Sequence, residues 1–277
     1  MTASTIKFHF IRESLARFDG GAMFGHVPKA VWSKLAPADE FNRIECSCNA
    51  ILARVGGLNI LTDPGMGLKW TPKEAALYHL RARPWEELLA PHGLTPDDIH
   101  AVAMSHLHID HAGALTRWDA DGRAVPVFPN AKVYVQRLEW ERANNPDSRS
   151  RPSYRPQDFV PLMESGQIVL IDGDGEFLPG VESVVTGGHT AAHQALRFAD
   201  GDGGALWFLA DIFPSTAHLK PHWVMGYDLY PMGVMEARAR LLPELAKQGV
   251  RCALGHDPFQ EIGRIVEVDG KYEWVGE

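Results

Sequence analysis

Ala101-Val102-Ala103-Met104-Ser105-His106-Leu107-His108-Ile109-Asp110-His111-Ala112-Gly113 is the stretch on which the reading of this chain turns. Four apolar residues of strand length run directly into His-x-His-x-Asp-His. In an extended chain, residues two apart point to the same side, so His106 and His108 can chelate one cation together. The chain is expected to turn next into a short helix through Ala112–Trp118. Asp110 and His111 at its start sit near the positive end of the helix dipole and face away from the first histidine pair. They are placed to hold a second ion.

The same order recurs outward along the chain: an apolar strand, a small residue or turn, then a side chain able to bind a metal. His189 follows Val181–Val185 and Gly187-Gly188, Asp211 follows Ala205–Ala210, and His256 follows Arg251–Leu254 and Gly255. Asp63 ends a further strand, Leu58–Leu61, and either caps the Pro64-Gly65 turn or orients a ligand of the main motif. In α/β architectures such strand ends gather at one edge of the sheet. Five histidines and two aspartates exceed the ligand set of one tetrahedral ion. They suit two divalent ions, zinc first, with manganese, iron or cobalt also compatible, because the set lacks thiolate. The assignment is His106, His108 and His189 for one ion and Asp110, His111 and His256 for the other, with Asp211 bridging both. His193, four residues after His189, reads as a supporting residue. A hydroxide bridging two such ions is hydrolytic chemistry, with Asp110 the candidate catalytic proton shuttle.

The rest of the chain frames this motif. Its 277 residues, 45% hydrophobic and 22% charged, have ordinary globular composition. They read as one hydrolase domain over residues 1–277. The formal charge of −8 argues against nucleic acid or an anionic membrane as partner. No run of 18 apolar residues predicts a membrane span, and the first twenty residues carry no signal-peptide core. Three cysteines, Cys46, Cys48 and Cys252, make no disulfide framework, so the expected location is the cytoplasm. Strands are expected at Ala50–Val55, Leu58–Leu61, Ala101–Met104, Lys132–Val135, Ile168–Ile171, Val181–Val185, Ala205–Ala210 and Arg251–Leu254. Helices are expected through Lys73–Ala90, Val135–Ala143 and Gly233–Lys247. Thr95-Pro96-Asp97-Asp98 predicts a capped turn. The polar segment Asn144–Pro161, with four prolines, reads as a long loop.

With these residues in view, the chain resembles the metallo-β-lactamase superfamily, whose dinuclear signature is the His-x-His-x-Asp-His run followed by His, Asp and His. The resemblance implies an αββα sandwich with the metals at one edge of its two sheets. A narrower likeness, to YtnP-type quorum-quenching lactonases, rests on Gly20-Gly21-Ala22-Met23-Phe24-Gly25, Val27-Pro28-Lys29, Trp32 and Asp39-Glu40. Thr186-Gly187-Gly188-His189-Thr190, Ala210-Asp211-Ile212-Phe213-Pro214 and Tyr227-Asp228-Leu229-Tyr230-Pro231-Met232 belong to the same likeness. It implies opening of the lactone ring of N-acyl homoserine lactones by a metal-bridging hydroxide, and by resemblance alone a homodimer. Met23 and Phe24, in a glycine-rich loop, are expected at the substrate pocket or its rim. Trp223, Met225 and Tyr227 are weaker candidates, since their spacing also suits one packed strand face. The better-studied lactonases carry a tyrosine three residues after the bridging aspartate. Here that position is Pro214, which leaves Tyr227 or Tyr230 to replace it in space.

The same scaffold serves phosphotriesterases and arylesterases, so fold leaves the substrate open among small esters and lactones. A nuclease would need a basic path, and oxygen-reducing di-iron relatives carry Glu where this chain has His108. A metal-stabilised binding protein without turnover is the non-enzymatic alternative.

Overall fold

The computed structural model describes residues 6–199 and 204–277. Strands β1 (Lys7–Asp19), β2 (Arg43–Val55), β3 (Leu58–Thr62), β4 (Arg81–Ala82) and β5 (Ala101–Ala103) belong to one sheet. A small hairpin of β6 (Thr116–Trp118) and β7 (Ala124–Pro126) follows, before β8 (Lys132–Gln136) and β9 (Ile168–Ile171) complete that sheet in the order β4-β1-β2-β3-β5-β8-β9. A second seven-stranded sheet runs in sequence order through β10 (Gly175–Leu178), β11 (Val181–Val185), β12 (Gln194–Ala199), β13 (Ala205–Phe208), β14 (Arg251–Ala253), β15 (Ile262–Val268) and β16 (Lys271–Gly276).

Burial makes these sheets a sandwich. Ile51, Ile60 and Ala103 of the first sheet share a buried cluster with Leu196, Phe198, Phe208 and Ala253 of the second. On the outer side of the first sheet, Val102 and Val133 pack with Leu88 and Leu89 of helix Trp85–Leu89 and with Phe159 and Leu162 of helix Pro156–Glu164. On the outer side of the second, Trp207, Cys252 and Ile265 pack against Leu241, Leu242 and Leu245 of helix Pro231–Gln248. The layers are therefore helix, sheet, sheet, helix, the expected αββα architecture. No helix among the described residues is long and apolar enough to cross a membrane.

Several elements differ from the sequence reading. β1 was not expected. It forms a thirteen-residue strand paired with β2 from Lys7↔Arg54 to Asp19↔Arg43, with a register shift between Arg12 and Ser14. Its polar residues His9, Arg12, Glu13, Ser14 and Arg17 mask the alternation on which a strand is read. The expected helix Lys73–Ala90 is two short helices, Pro72–Leu77 and Trp85–Leu89, separated by His79 at φ 48° and by β4. Pro84 sits at the N-cap of the second. Val135 and Gln136 end a strand, and the helix begins at Arg137. The expected helix Ala112–Trp118 is instead a turn of α-helix at Ile109–Ala112, a 3-10 turn at Gly113–Leu115 and strand β6. The long loop ends early, in helix Pro156–Glu164. That helix tolerates Pro161 because the carbonyl of Gln157, four residues back, accepts instead from Thr116 Oγ1 at 2.7 Å.

The two sheets are stitched together at one edge. Backbone N–H groups of Ser47 and Asn49, on β2, donate to the carbonyls of His256 and Gly255 at 3.1 and 3.0 Å. Asn49 Nδ2 adds bonds to the Leu254 and Asp257 carbonyls at 2.9 and 3.1 Å. This is the edge where the candidate ligands converge.

Candidate metal centre

Each polar side chain of the site leaves the end of an apolar strand. His106 and His108 follow β5, and Asp110 and His111 lie on the one-turn helix behind them. His189 follows β11 across Gly187 and Gly188. Gly188 sits at φ 81°, and a Cβ there would lie 2.6 Å from the Val234 nitrogen, so only glycine lets this loop pack on the long helix. Asp211 sits in the 3-10 turn after β13, directly behind Ala210 at φ 43°. A left-handed alanine is strained, and its position beside Asp211 marks a turn held by the surrounding structure. His256 follows β14.

The structure gathers both expected triads. Donor atoms of His106, His108 and His189 lie within 4.8 Å of one another, as do those of Asp110, His111 and His256. Asp211 spans them: its Oδ2 is 3.0 Å from His189 Nε2, and its Oδ1 is 2.9 Å from His256 Nε2 and 3.2 Å from His111 Nε2. His108 Nδ1 approaches His189 Nε2 at 3.0 Å, and His111 Nε2 approaches His256 Nε2 at 3.1 Å.

Four of these histidines have the outward nitrogen engaged. His106 Nδ1 meets Ser105 Oγ at 2.9 Å, His111 Nδ1 meets Asp63 Oδ2 at 2.8 Å, His189 Nδ1 meets Asp228 Oδ1 at 2.9 Å and His256 Nδ1 meets the Ser47 carbonyl at 2.8 Å. Each contact turns the opposite nitrogen inward. His106 Nε2 and Asp211 Oδ1 are buried without a hydrogen bond. His108 Nε2 is likewise buried without a partner. Buried unpaired donors and acceptors cost stability unless something fills the gap. Nitrogen and oxygen donors with no thiolate fit divalent cations.

Electrostatics agree. Burial holds His106 and His108 well below the usual histidine pKa, so both are neutral and free to ligate. Burial alone would lower His111 and His256 as well, but the Asp211 carboxylate outweighs it and raises both well above the usual value. Asp211 in turn is held well below the carboxylate range: burial would raise it, and His256, His111 and His189 overcome that. Cations arriving at the metal-free site must therefore expel protons held beside Asp211. Loading is expected to release protons and to weaken as pH falls, because each displaced proton competes with the cation more strongly in acid. Calorimetric titration with Zn²⁺ in buffers of differing ionisation enthalpy measures both effects.

Around the ligands, Asp63 takes the orienting reading rather than the turn-capping one. Besides His111, it accepts from the Ser105 backbone N–H at 2.7 Å and from Ser105 Oγ. His193, buried, binds Thr186 Oγ1 through Nδ1 at 2.7 Å and accepts the Asp211 backbone N–H at Nε2 at 3.1 Å. It positions the turn that carries Asp211.

Three further carboxylates escaped the sequence reading. Asp228 orients His189 and accepts the Met225 N–H at 2.7 Å. Glu139 is fully buried and accepts from Leu107 N, Tyr154 OH and Thr190 Oγ1, bracing both histidine-bearing loops at once. Asp257 accepts from Thr216 and from the N–H groups of Phe259 and Gln260. Only Asp228 had a signal in the sequence, its place in the Tyr227–Met232 motif. Asp228→Asn is expected to weaken metal binding by about 10–100-fold with the fold intact, since it loosens a ligand without removing it. Chelator competition alongside thermal melting checks this.

A cavity of about 160 Å³ opens onto the site, floored by His108, Asp110, His189, Asp211 and His256. Phe18, Met23, Met66, Ile109 and Met225 supply apolar walls, and Tyr78 and Tyr227 supply hydroxyls. Of the five residues expected at the pocket, Met23, Met225 and Tyr227 line this cavity. Phe24 and Trp223 do not. Phe24 is fully buried, stacked between Trp32 and His218 with Trp223 edge-on, so the glycine-rich segment is a packed helix, Gly20–Phe24, rather than an exposed loop. Pro214 has a backbone role: its carbonyl accepts the His256 N–H at 2.8 Å. Tyr230 is exposed and outside the lining. So are His26 and His222.

Residues 43–256 match the family model of the metallo-β-lactamase superfamily. The chain belongs to the metallo-β-lactamase superfamily. The N-acyl homoserine lactonase AiiA of Bacillus thuringiensis subsp. kurstaki is 29% identical over 170 residues, 61% of this chain and 60% of that protein. The chain thus spans about 60% of the length of the curated relatives it matches. A probable metal-dependent hydrolase from Staphylococcus aureus superposes with a TM-score of 0.89 at 31% identity, covering 100% of this chain and 99% of that one. AidC, a dizinc quorum-quenching lactonase in complex with a product, superposes with a TM-score of 0.81 at 18% identity over 100% and 96% of the two chains. At that identity the likeness concerns the metallo-β-lactamase fold alone.

Proposed function

We propose that this chain, acting as one domain over residues 1–277, is a dinuclear metal-dependent hydrolase that opens the lactone ring of N-acyl homoserine lactones. The observation that carries the reading is the convergence of two donor triads on Asp211 at the floor of an apolar cavity. His106, His108 and His189 would hold one divalent ion, zinc first, and Asp110, His111 and His256 the other. When bound, such ions supply Lewis acidity and an activated water. Asp110, whose side chain is 20% exposed at the cavity, takes up the proton of the attacking water and returns it to the ring oxygen as it leaves. Tyr227 keeps its phenolic proton at neutral pH, since desolvation and then the Asp110 charge raise its pKa, and it donates a hydrogen bond to a substrate oxygen. Phe18, Met66 and Met225 exclude water and receive the start of an acyl chain. The unpaired cysteines, all buried, support a reducing compartment such as the cytoplasm.

Hydrolysis of N-dodecanoyl-L-homoserine lactone by metal-loaded protein, against chelated protein, tests the reading. Metal-dependent ring opening is the expected result. No turnover with both ions verified in place would overturn it and move phosphotriesters and aryl esters to the front.

A further inference from the structure

A second cavity, of about 240 Å³, lies behind the wall of the first. Met23 and His256 line both, so the two spaces adjoin at these residues. Leu35, Ala36, Ile44, Ala217 and Phe259 give the second cavity its apolar surface. Leu35 is 52% and Phe259 74% exposed, two large apolar side chains left to solvent around one opening. The polar groups there are already engaged. Arg17 pairs with Asp39 at 3.1 Å and lies 3.8 Å from Glu45, while Asp257 is consumed by Thr216, Phe259 and Gln260. The chamber therefore offers no unengaged charge for an ionic ligand, and its chemistry suits a saturated hydrocarbon.

Met23 is the apolar residue common to both linings. Its carbonyl accepts from His218 Nε2 at 2.9 Å, which pins the backbone, while its side chain is an unbranched thioether with several rotatable bonds. We propose that the second cavity receives the distal end of a long acyl chain, which passes Met23 when the head group is seated at the metal floor. This rests on the lactone reading for the head group. It adds that chain length is selected behind Met23 and not at the outer mouth. Each methylene that enters leaves water for an apolar wall, so affinity should rise with chain length beyond what the first cavity accommodates.

The test uses the metal-loaded full chain and two ring-opened ligands, N-hexanoyl- and N-dodecanoyl-L-homoserine, with binding measured by calorimetry. The unmodified protein should bind the dodecanoyl ligand at least about tenfold more tightly. Ala217→Phe, which fills the chamber, and Leu35→Asp, which makes its opening polar at an exposed site that folding tolerates, should each erase that advantage. Both should leave hexanoyl affinity within about twofold. With methyl-¹³C methionine, the resonance assigned by Met23→Leu should shift with the dodecanoyl ligand and much less with the hexanoyl one. No dodecanoyl advantage, or one that survives both substitutions, overturns the proposal and sends the chain out through the mouth. If the advantage exists and is lost as expected but no acyl homoserine lactone is hydrolysed, the chamber stands and the lactonase reading fails.

Discussion

Asp211→Ala is expected to reduce lactone turnover on the order of a thousandfold or more and to cut retained metal from two equivalents per chain to one or fewer. Its oxygens reach into both triads, lying 2.9–3.2 Å from His189 of one and from His111 and His256 of the other. Removing it takes away the shared ligand and the negative charge that lets two cations sit side by side. It also removes the charge that keeps His111 and His256 protonated in the metal-free protein, so the proton release expected on loading should shrink in the same variant. Elemental analysis after desalting, turnover and a melting curve report these effects separately. A variant that folds, keeps both ions and retains activity would remove Asp211 from the bridging role.

Asp110→Asn is expected to lower turnover by about a hundredfold or more while leaving most of the metal in place. Its carboxylate is more distant from the histidines than that of Asp211, at 3.8 Å from His111 Nε2 and 3.6 Å from His256 Nε2. It also lies at the cavity, where a substrate oxygen can reach it. The amide keeps shape and one acceptor but can neither take nor return a proton. Loss of turnover with metal retained would mark the proton-transfer role, whereas loss of the second ion in parallel would mark ligation as the principal role. Unchanged activity with both ions present would eliminate the shuttle.

The residues of the metal centre were legible in the chain because chemistry and local geometry coincide there. Alternation in an extended segment sets His106 beside His108, and a strand that ends in a turn presents His189, Asp211 or His256 at its tip. These are short-range facts, and the single-residue spacing of a motif preserves them. The helix at Pro231–Gln248 was legible for the same reason, since its apolar positions repeat with helical period.

Other features depend on residues that meet only after folding. β1 is a strand because a thirteen-residue segment finds partners on β2 that lie 24 to 47 positions further along the chain, from Asp19↔Arg43 to Lys7↔Arg54, and its own polar positions conceal the pattern. Phe24 and Trp223 are apolar residues next to a site, as Met23 and Met225 are. Whether such a residue walls the cavity or fills the core is decided by the packing of the 20–24 helix against Trp32 and His218. Glu139 and Asp257 look like any surface carboxylate until loops from distant strands close around them, and Asp228 stands out only by its place in the Tyr227–Met232 motif. Taken by itself, the sequence determined the kind of site, its candidate ligands and the layered fold, because those follow from side-chain chemistry and backbone period. The tertiary structure decided which carboxylates orient the histidines, which apolar residues line the cavity and that a second cavity adjoins it at Met23, because burial and contact are properties of the packed chain.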